Sequence, residues 1–327
     1  MATQDQVDCA ISPVGSVIEC EAIESANFDS FCGPAAAPCY IGIDEAGRGP
    51  VLGPMVYGVA VMPIANDATL REAGVGDSKE LPEEKRDALF AKFVAADCTL
   101  VAFKLRVISP HHLSRVMQRR VKYSLNDESH DSAISLIQHC VDRGVQIHGV
   151  FVDTVGPPES YQAKLQARFP SLQITVSKKA DSIYTVVGAA SVCAKVIRDQ
   201  RIRGWKFPEE NARGYKVNIP EAGWGSGYPG DPNTKKFLET SCDTVFGFPS
   251  IVRFDWQTAK NIIEKRCCAV KWDDDDDATV PASKSLLNYF SKTSADGKEN
   301  NEQSQETIVQ RHAFFFDRQL SSVANDF

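Results

Sequence analysis

The sequence predicts an α/β fold, and three observations carry that expectation. Short apolar or β-branched runs bounded by Gly and Pro alternate with helix-like stretches between residues 39 and 272. Carboxylates stand at the ends of several of those runs. The flanks change composition: residues 1–38 are rich in Ser, Ala and acidic side chains and show no period, which predicts a disordered acidic arm, and residues 273–327 open on five consecutive Asp and continue in Ser, Lys, Asn, Glu and Gln, which predicts an acidic disordered tail.

Within the folded region, Cys39–Asp44 (CYIGID) and Met55–Met62 (MVYGVAVM) read as two paired strands joined by a Gly-rich turn. A helix is expected over Pro82–Ala95, with Pro near its first turn, then a strand over Cys98–Val107. Helices are expected over Ser109–Arg120 and over Asp131–Asp142, the second capped by Ser129 or Asp131 and stopped at Gly144. Val150–Asp153 is a strand ending on a carboxylate, Pro158–Ala167 a helix, and Gln173–Ser177 a strand. Asp181–Gln200 reads as one long helix with apolar Ile183, Val186, Val187, Ala190 and Val196.

The net charge of −7 hides an uneven distribution. Residues 1–39 hold six acidic and no basic side chains, and residues 273–327 carry a net −6, which leaves +5 for residues 40–272. A mildly basic body can meet a phosphate backbone. No apolar run approaches the roughly 20 residues that span a bilayer. The N-terminus reads neither as a secretory signal nor as an Arg-rich transit peptide. The ten cysteines form no CxxC pair and no Cys/His cluster of zinc spacing, so reduced thiols are expected. His111 and His112 would diverge on a helix and read as a surface pair.

Asp44 and Glu45 end the first strand, Asp153 ends a later one, and Asp181 opens a helix just after another. In open α/β sheets, sites form beyond strand ends, so residues this far apart in sequence can converge. Within an ideal strand Asp44 and Glu45 would face opposite sides, and the following Gly47 and Gly49 allow a turn that could bring both to one place. Grouped oxygen ligands suit hard cations such as Mg²⁺. Two such ions about 4 Å apart can activate a water and stabilise the leaving oxygen of a phosphodiester. Each acid alone also fits an ordinary strand end, and Asp181 a helix N-cap.

The segment Tyr40–Met55, YIGIDEAGRGPVLGPM, resembles the signature of type 2 ribonucleases H, and its DEAGRGP core is highly specific. In family order follow Asp77-Ser78-Lys79 before Leu81, Phe151–Gly156 (FVDTVG), Lys179-Ala180-Asp181 leading into Ala189–Asp199 (AASVCAKVIRD), and Gly225–Pro229 (GSGYP). Arg120–Asp131 and Val245–Ala259 (VFGFPSIVRFDWQTA) resemble the catalytic chain of the multi-chain eukaryotic enzymes. The similarity runs from residue 40 to about residue 265. It departs at Thr185, where relatives usually carry Pro.

The resemblance implies a ribonuclease H-like mixed sheet flanked by helices, with a C-terminal helical extension, in a catalytic domain over residues 39–272. It implies that Asp44, Glu45, Asp153 and Asp181 hold Mg²⁺, with Mn²⁺ able to substitute. It implies that the Gly47-Arg48-Gly49 backbone reads a ribose 2′-OH, the only handle on the sugar that separates RNA from DNA, and that Tyr228 stacks on the sugar at a ribo–deoxyribo junction. The implied activity is hydrolysis of the RNA strand of RNA–DNA hybrids and of the bond 5′ of a single ribonucleotide in duplex DNA, leaving 3′-OH and 5′-phosphate ends. It places the chain in the nucleus, in ribonucleotide excision and DNA replication, with two accessory subunits in a heterotrimer. Lys79 and Arg48 are candidate phosphate contacts; Lys179, Lys195 and Arg198, as basic residues on a helix face, are weaker ones.

In the tail, residues 283–290 (SKSLLNYF) set Leu286, Tyr289 and Phe290 on one side of a helical turn and resemble the box that docks on a sliding clamp, with Ser283 where the pattern prefers Gln. His312–Phe316 (HAFFF) is a further apolar cluster. Two other functions fit part of this pattern. Another metal-dependent phosphoesterase would not require the Gly-Arg-Gly and Tyr pair, and a non-catalytic scaffold would be expected to lack a carboxylate. A nucleotide-binding protein is disfavoured because residues 42–53 contain neither GxxxxGK[ST] nor GxGxxG.

Overall fold

The computed structural model describes residues 20–75, 81–95, 97–211 and 216–269. Lys79, the clamp-box residues Leu286, Tyr289 and Phe290, and the expected disordered tail lie outside that set.

One six-stranded mixed sheet organises the fold. Its strands are β1 (Cys20–Glu24), β2 (Cys39–Ala46), β3 (Met55–Pro63), β4 (Ala102–Ile108), β5 (Ile147–Asp153) and β6 (Ile174–Ser177), in the spatial order β1-β4-β3-β2-β5-β6. β1, β4, β3 and β2 pair antiparallel, while β2, β5 and β6 run parallel. Both faces are covered, which is why the central strands read as nearly continuous apolar runs. On one face lie α3 (Pro110–Met117), α4 (Leu125–Asp142) and α5 (Pro158–Arg168), with Leu113, Leu136, Ile137, Tyr161 and Leu165 packed on Ile41, Ile43 and Val152. On the other lie α1 (Asp67–Glu72), α2 (Glu83–Val94) and α7 (Thr185–Arg203), with Leu70, Phe90, Phe93, Val187 and Ala190 packed on Ala60, Met62 and Leu105. Helix α7 presses directly on β2: a Cβ at Gly42 would sit 2.5 Å from the Val186 and Val187 backbone, so only glycine fits there.

Of the disordered arm expected over residues 1–38, β1 corrects the described part, from residue 20 onward. It pairs with the β4 edge from Cys20↔Ile108 to Glu24↔Lys104. Its acidic residues, which read as solvating, meet basic partners of the body: Glu24 accepts from Lys104 at 3.1 Å and from Arg143 at 2.8 Å, and Glu21 pairs with Arg201.

Two helix boundaries also move. α4 begins at Leu125, with Ser124 as N-cap in a reciprocal capping box with Asp127, so neither Ser129 nor Asp131 is the cap. The long helix expected from Asp181 is split into α6 (Ala180–Ile183) and α7, broken at Tyr184, which is extended at φ −111°. Asp181 lies inside α6 and is not its cap. Thr185 occupies the first position of α7, where Pro would be equally at home. His112, expected at the surface, is buried against Glu128 (3.4 Å), and hydrogen bonding to Cys20 and Glu128 raises its pKa to about 9.

The C-terminal extension contains α8 (Pro232–Ser241) and α9 (Gln257–Arg266). Its own apolar cluster joins Phe237, Leu238, Phe248, Ile251 and Val252 to Val51 and Leu52, the residues just past the Gly-rich turn. Among the described residues no helix is long and apolar enough to cross a membrane.

Candidate active site

The parallel strands β2, β5 and β6 end side by side. Register pairs Ile43 with Val152 and Asp153 with Ser177, so Asp44 and Asp153 leave adjacent strand ends, and the chain past β6 delivers Asp181. Between β6 and α6, Lys179 is a non-glycine residue in the left-handed region (φ 55°). This turn aims the Ala180 N–H at Asp153 Oδ1, 2.8 Å away. An uncommon backbone state of this kind persists only where its surroundings enforce it.

Asp44 is 5 % exposed and Asp181 1 %, while Glu45 and Asp153 are half-buried. Burial, with added repulsion from Asp153 and Asp181, raises the Asp44 pKa to about 7 against opposing hydrogen bonds from Ser191 and the Glu45 N–H. Burial, Asp44 and Asp153 likewise push Glu45 well above the usual carboxylate range, opposed by Arg48 and Tyr57. These mutual effects show that the structure brings the four acids into one neighbourhood. β2 continues through Ala46, so no turn swings Asp44 and Glu45 together as the Gly residues suggested. Strand alternation instead leaves Asp44 on the α7 side with Ser191, and Glu45 on the side of its cross-strand partner Tyr57.

The donor set is all oxygen, and buried Glu45 Oε2 accepts no hydrogen bond, which fits a hard divalent cation. Among the described residues no three acids form a closed cage around one point. That also fits such an ion, which keeps waters and takes substrate oxygens into its shell.

Beside Glu45 opens a cavity of about 410 Å³, lined by Gly47, Arg48, Gly49 and Tyr228 together with Arg86, Lys195, Arg198 and Asp199. Gly47 has φ 79°, and a Cβ there would lie 2.6 Å from the Pro54 carbonyl oxygen. Arg48 is tethered through Nη2 to Asn126 Oδ1. Tyr228 is 52 % exposed, and a methyl group on Gly49 would sit 3.4 Å from its ring. The Tyr228 loop is docked on the Gly-rich turn by Val51 N–H donating to the Gly227 carbonyl (2.8 Å). Asp231 anchors it from below through Ser226.

Residues that sequence reasoning did not single out hold this loop. Arg253 is fully buried and donates from Nε to the Gly53 carbonyl (2.8 Å), from Nη1 to that of Arg48 (3.2 Å) and from Nη2 to that of Gly47 (2.6 Å). Trp256 Nε1 donates to the Gly49 carbonyl (3.0 Å), and its ring lies 4.8 Å under the Arg253 guanidinium. Burial lowers the Arg253 pKa to about 9, so it remains charged at pH 7. The only sequence signal was the resemblance of Val245–Ala259 as a segment.

The profile of the ribonuclease HII family matches residues 41–259, which takes in the carboxylates, the cavity loops and the Arg253–Trp256 clamp. The chain belongs to this family. Curated relatives bearing the name of the catalytic chain of eukaryotic ribonuclease H2 include one from Caenorhabditis elegans, 44 % identical over 94 % of this chain and 98 % of its own, and one from Homo sapiens, 46 % identical over 88 % and 91 %. Among solved structures, ribonuclease H2 from Pyrococcus horikoshii is 32 % identical with a TM-score of 0.55, covering 69 % of this chain and 98 % of its own. The ribonuclease HII of a PCNA complex from Archaeoglobus fulgidus is 27 % identical with a TM-score of 0.53, covering 72 % and 99 %. This ribonuclease HII chain is thus an endoribonuclease of the eukaryotic type 2 branch.

Proposed function

We propose that this ribonuclease HII chain cuts the RNA strand of RNA–DNA hybrids and incises duplex DNA 5′ of a single embedded ribonucleotide, leaving 3′-OH and 5′-phosphate ends, as the catalytic member of a ribonucleotide-excision assembly. The observation that carries this reading is adjacency: Glu45, which feels Asp44 and Asp153, lines the same cavity as a loop whose backbone and neighbouring tyrosine suit a ribose, and Asp44 in turn feels Asp153 and Asp181. Asp44, Glu45, Asp153 and Asp181 hold divalent cations, Mg²⁺ with Mn²⁺ as a substitute. Such cations supply charge stabilisation and an activated water at the phosphodiester. Asp153 is oriented for this by the Ala180 N–H, and Asp44 by Ser191. Gly47 and Gly49 let the main chain approach the sugar closely enough to sense its 2′-OH, and Tyr228 stacks on the neighbouring sugar. A phosphoesterase of another kind would have no use for that loop and tyrosine together.

The eukaryotic relatives are named as one lettered component of ribonuclease H2, which supports assembly with accessory chains. The archaeal relative in a PCNA complex supports a clamp contact, and the proposed box for it is Leu286, Tyr289 and Phe290. The deciding assay incubates the chain and its accessory subunits with a duplex carrying one ribonucleotide, with Mg²⁺ and an all-DNA control. A cut 5′ of the ribonucleotide, lost in Asp44→Asn by a factor of about 10³ or more, is the expected result. Equal cutting of all-DNA, or full activity in Asp44→Asn, would overturn the reading.

A further inference from the structure

Two buried arginines lie beneath the Gly47–Gly49 loop, and their hydrogen bonding differs. Arg253 commits Nε, Nη1 and Nη2 to three carbonyls. Arg198, on α7, is 8 % exposed and donates only from Nη1, to its sequence neighbour Asp199 at 3.3 Å. Its Nε and Nη2 are buried and meet no acceptor. Those two nitrogens form a single edge of the guanidinium, a planar two-donor face that matches two oxygens of a phosphate.

The side chain lines the same cavity as Gly47, Gly49 and Tyr228. It sits directly against the loop: a Cβ on Gly47 would collide first with the Arg198 Nε and then, at 2.5 Å, with its Cδ, so the edge is covered by Gly47 until the loop shifts to admit a ligand. A buried charge with two of its three nitrogens unfilled is costly to the fold. Burial accordingly lowers its pKa. A fold that keeps such a group commonly does so for a ligand. The other cations of the cavity do not offer this edge: Arg48 commits Nη2 to Asn126, Arg86 is engaged with the Leu81 carbonyl and Asp199, and Lys195 is a point charge.

We propose that Arg198 is a substrate-positioning residue whose Nε–Nη2 edge binds both non-bridging oxygens of a phosphodiester next to the ribose read by Gly47–Gly49. This rests on the ribonucleotide-reading function above and adds to it: the loop senses the hydroxyl, and Arg198 fixes the strand that presents it. A basic residue that reads from sequence as one more solvated cation on a helix becomes a strand anchor.

The test measures binding of the full chain with its accessory subunits to a fluorescent duplex carrying one ribonucleotide, in EDTA and across a salt series. Cleavage in Mg²⁺ and thermal unfolding are recorded in parallel. Arg198→Met is expected to weaken binding about 10-fold and to lower the salt slope by about 1, the signature of one lost phosphate contact. Arg198→Lys should restore the slope but not the affinity. Neither variant should unfold below the wild-type temperature, because the fold does not depend on the unfilled donors. Unchanged affinity and slope in Arg198→Met would overturn the assignment, and so would a misfolded Arg198→Met, which would make the residue structural. Either result leaves wild-type cleavage intact, whereas a wild-type assembly that fails to cut the ribonucleotide duplex rejects the underlying function instead.

Discussion

Asp44, Asp153 and Asp181 stand at the ends of paired strands and at the helix that follows them, whereas Gly47–Gly49 and Tyr228 stand on loops held by side chains of the C-terminal extension, with a sequence separation of 206 between Gly47 and Arg253. The first half of the site is therefore supported by sheet register and by α7 packed across Gly42. The second depends on four directional hydrogen bonds from Arg253 and Trp256 and on the apolar cluster behind them. The proposed metal-holding acids are mounted on the sheet and on the helix after it, and the proposed sugar-reading loop, early in the chain, depends on side chains from the C-terminal extension. The two halves should accordingly fail separately.

The largest expected effect on the loop half is that of Arg253→Met. It leaves three carbonyls without their donor in a buried place and should cost about 3–5 kcal/mol in thermal or urea unfolding. A loop displaced by even 1 Å should lower cleavage about 100-fold. Divalent-ion binding by the carboxylates should persist in the folded fraction, and its loss together with the loop would dissolve the contrast. Tyr228→Ala comes next: stacking worth about 1–3 kcal/mol should translate into a 10- to 100-fold loss on the single-ribonucleotide duplex. Because the ring is exposed, stability should change by less than about 0.5 kcal/mol. A matching loss of stability would mean that the ring supports the loop and not the substrate.

The remaining prediction concerns the carboxylate half alone. The Asp44 pKa stands at about 7, against 3.8 for an ordinary aspartate. Between those values the folded protein retains a proton that the unfolded chain has released. Asp44 therefore favours folding fully below pH 3.8, and that contribution is lost as pH rises through about 7. In EDTA, the unfolding temperature of the wild type relative to Asp44→Asn should fall over this range. A difference that stays flat with pH would show that neither burial nor Asp153 and Asp181 raise the Asp44 pKa.

What could be seen in the sequence follows the same division. Strand ends announce themselves through local apolar runs, so most elements were legible from Cys39 onward, whereas the four acids were singled out by the resemblance to type 2 ribonucleases H. The Tyr184 break was not, because α6 and α7 share one apolar pattern. Nor was β1, whose acids gave a solvated appearance until Lys104, Arg143 and Arg201 were seen beside them. Arg198 and Arg253 look alike as letters. Their roles depend on which acceptors surround them, and those come from residues far away in the chain.

The position of Arg253 also sets an order of events during synthesis. A growing chain folds from its N-terminal side first, and all four acids have left the ribosome before Arg253 and Trp256 are made. The nascent protein thus completes the residues that would cut before the residues that restrain the loop beside them. On the proposed function, the support of the sugar-reading loop is made after all four acids, and a truncation that removes Arg253 and Trp256 should loosen that loop while leaving the acids in place.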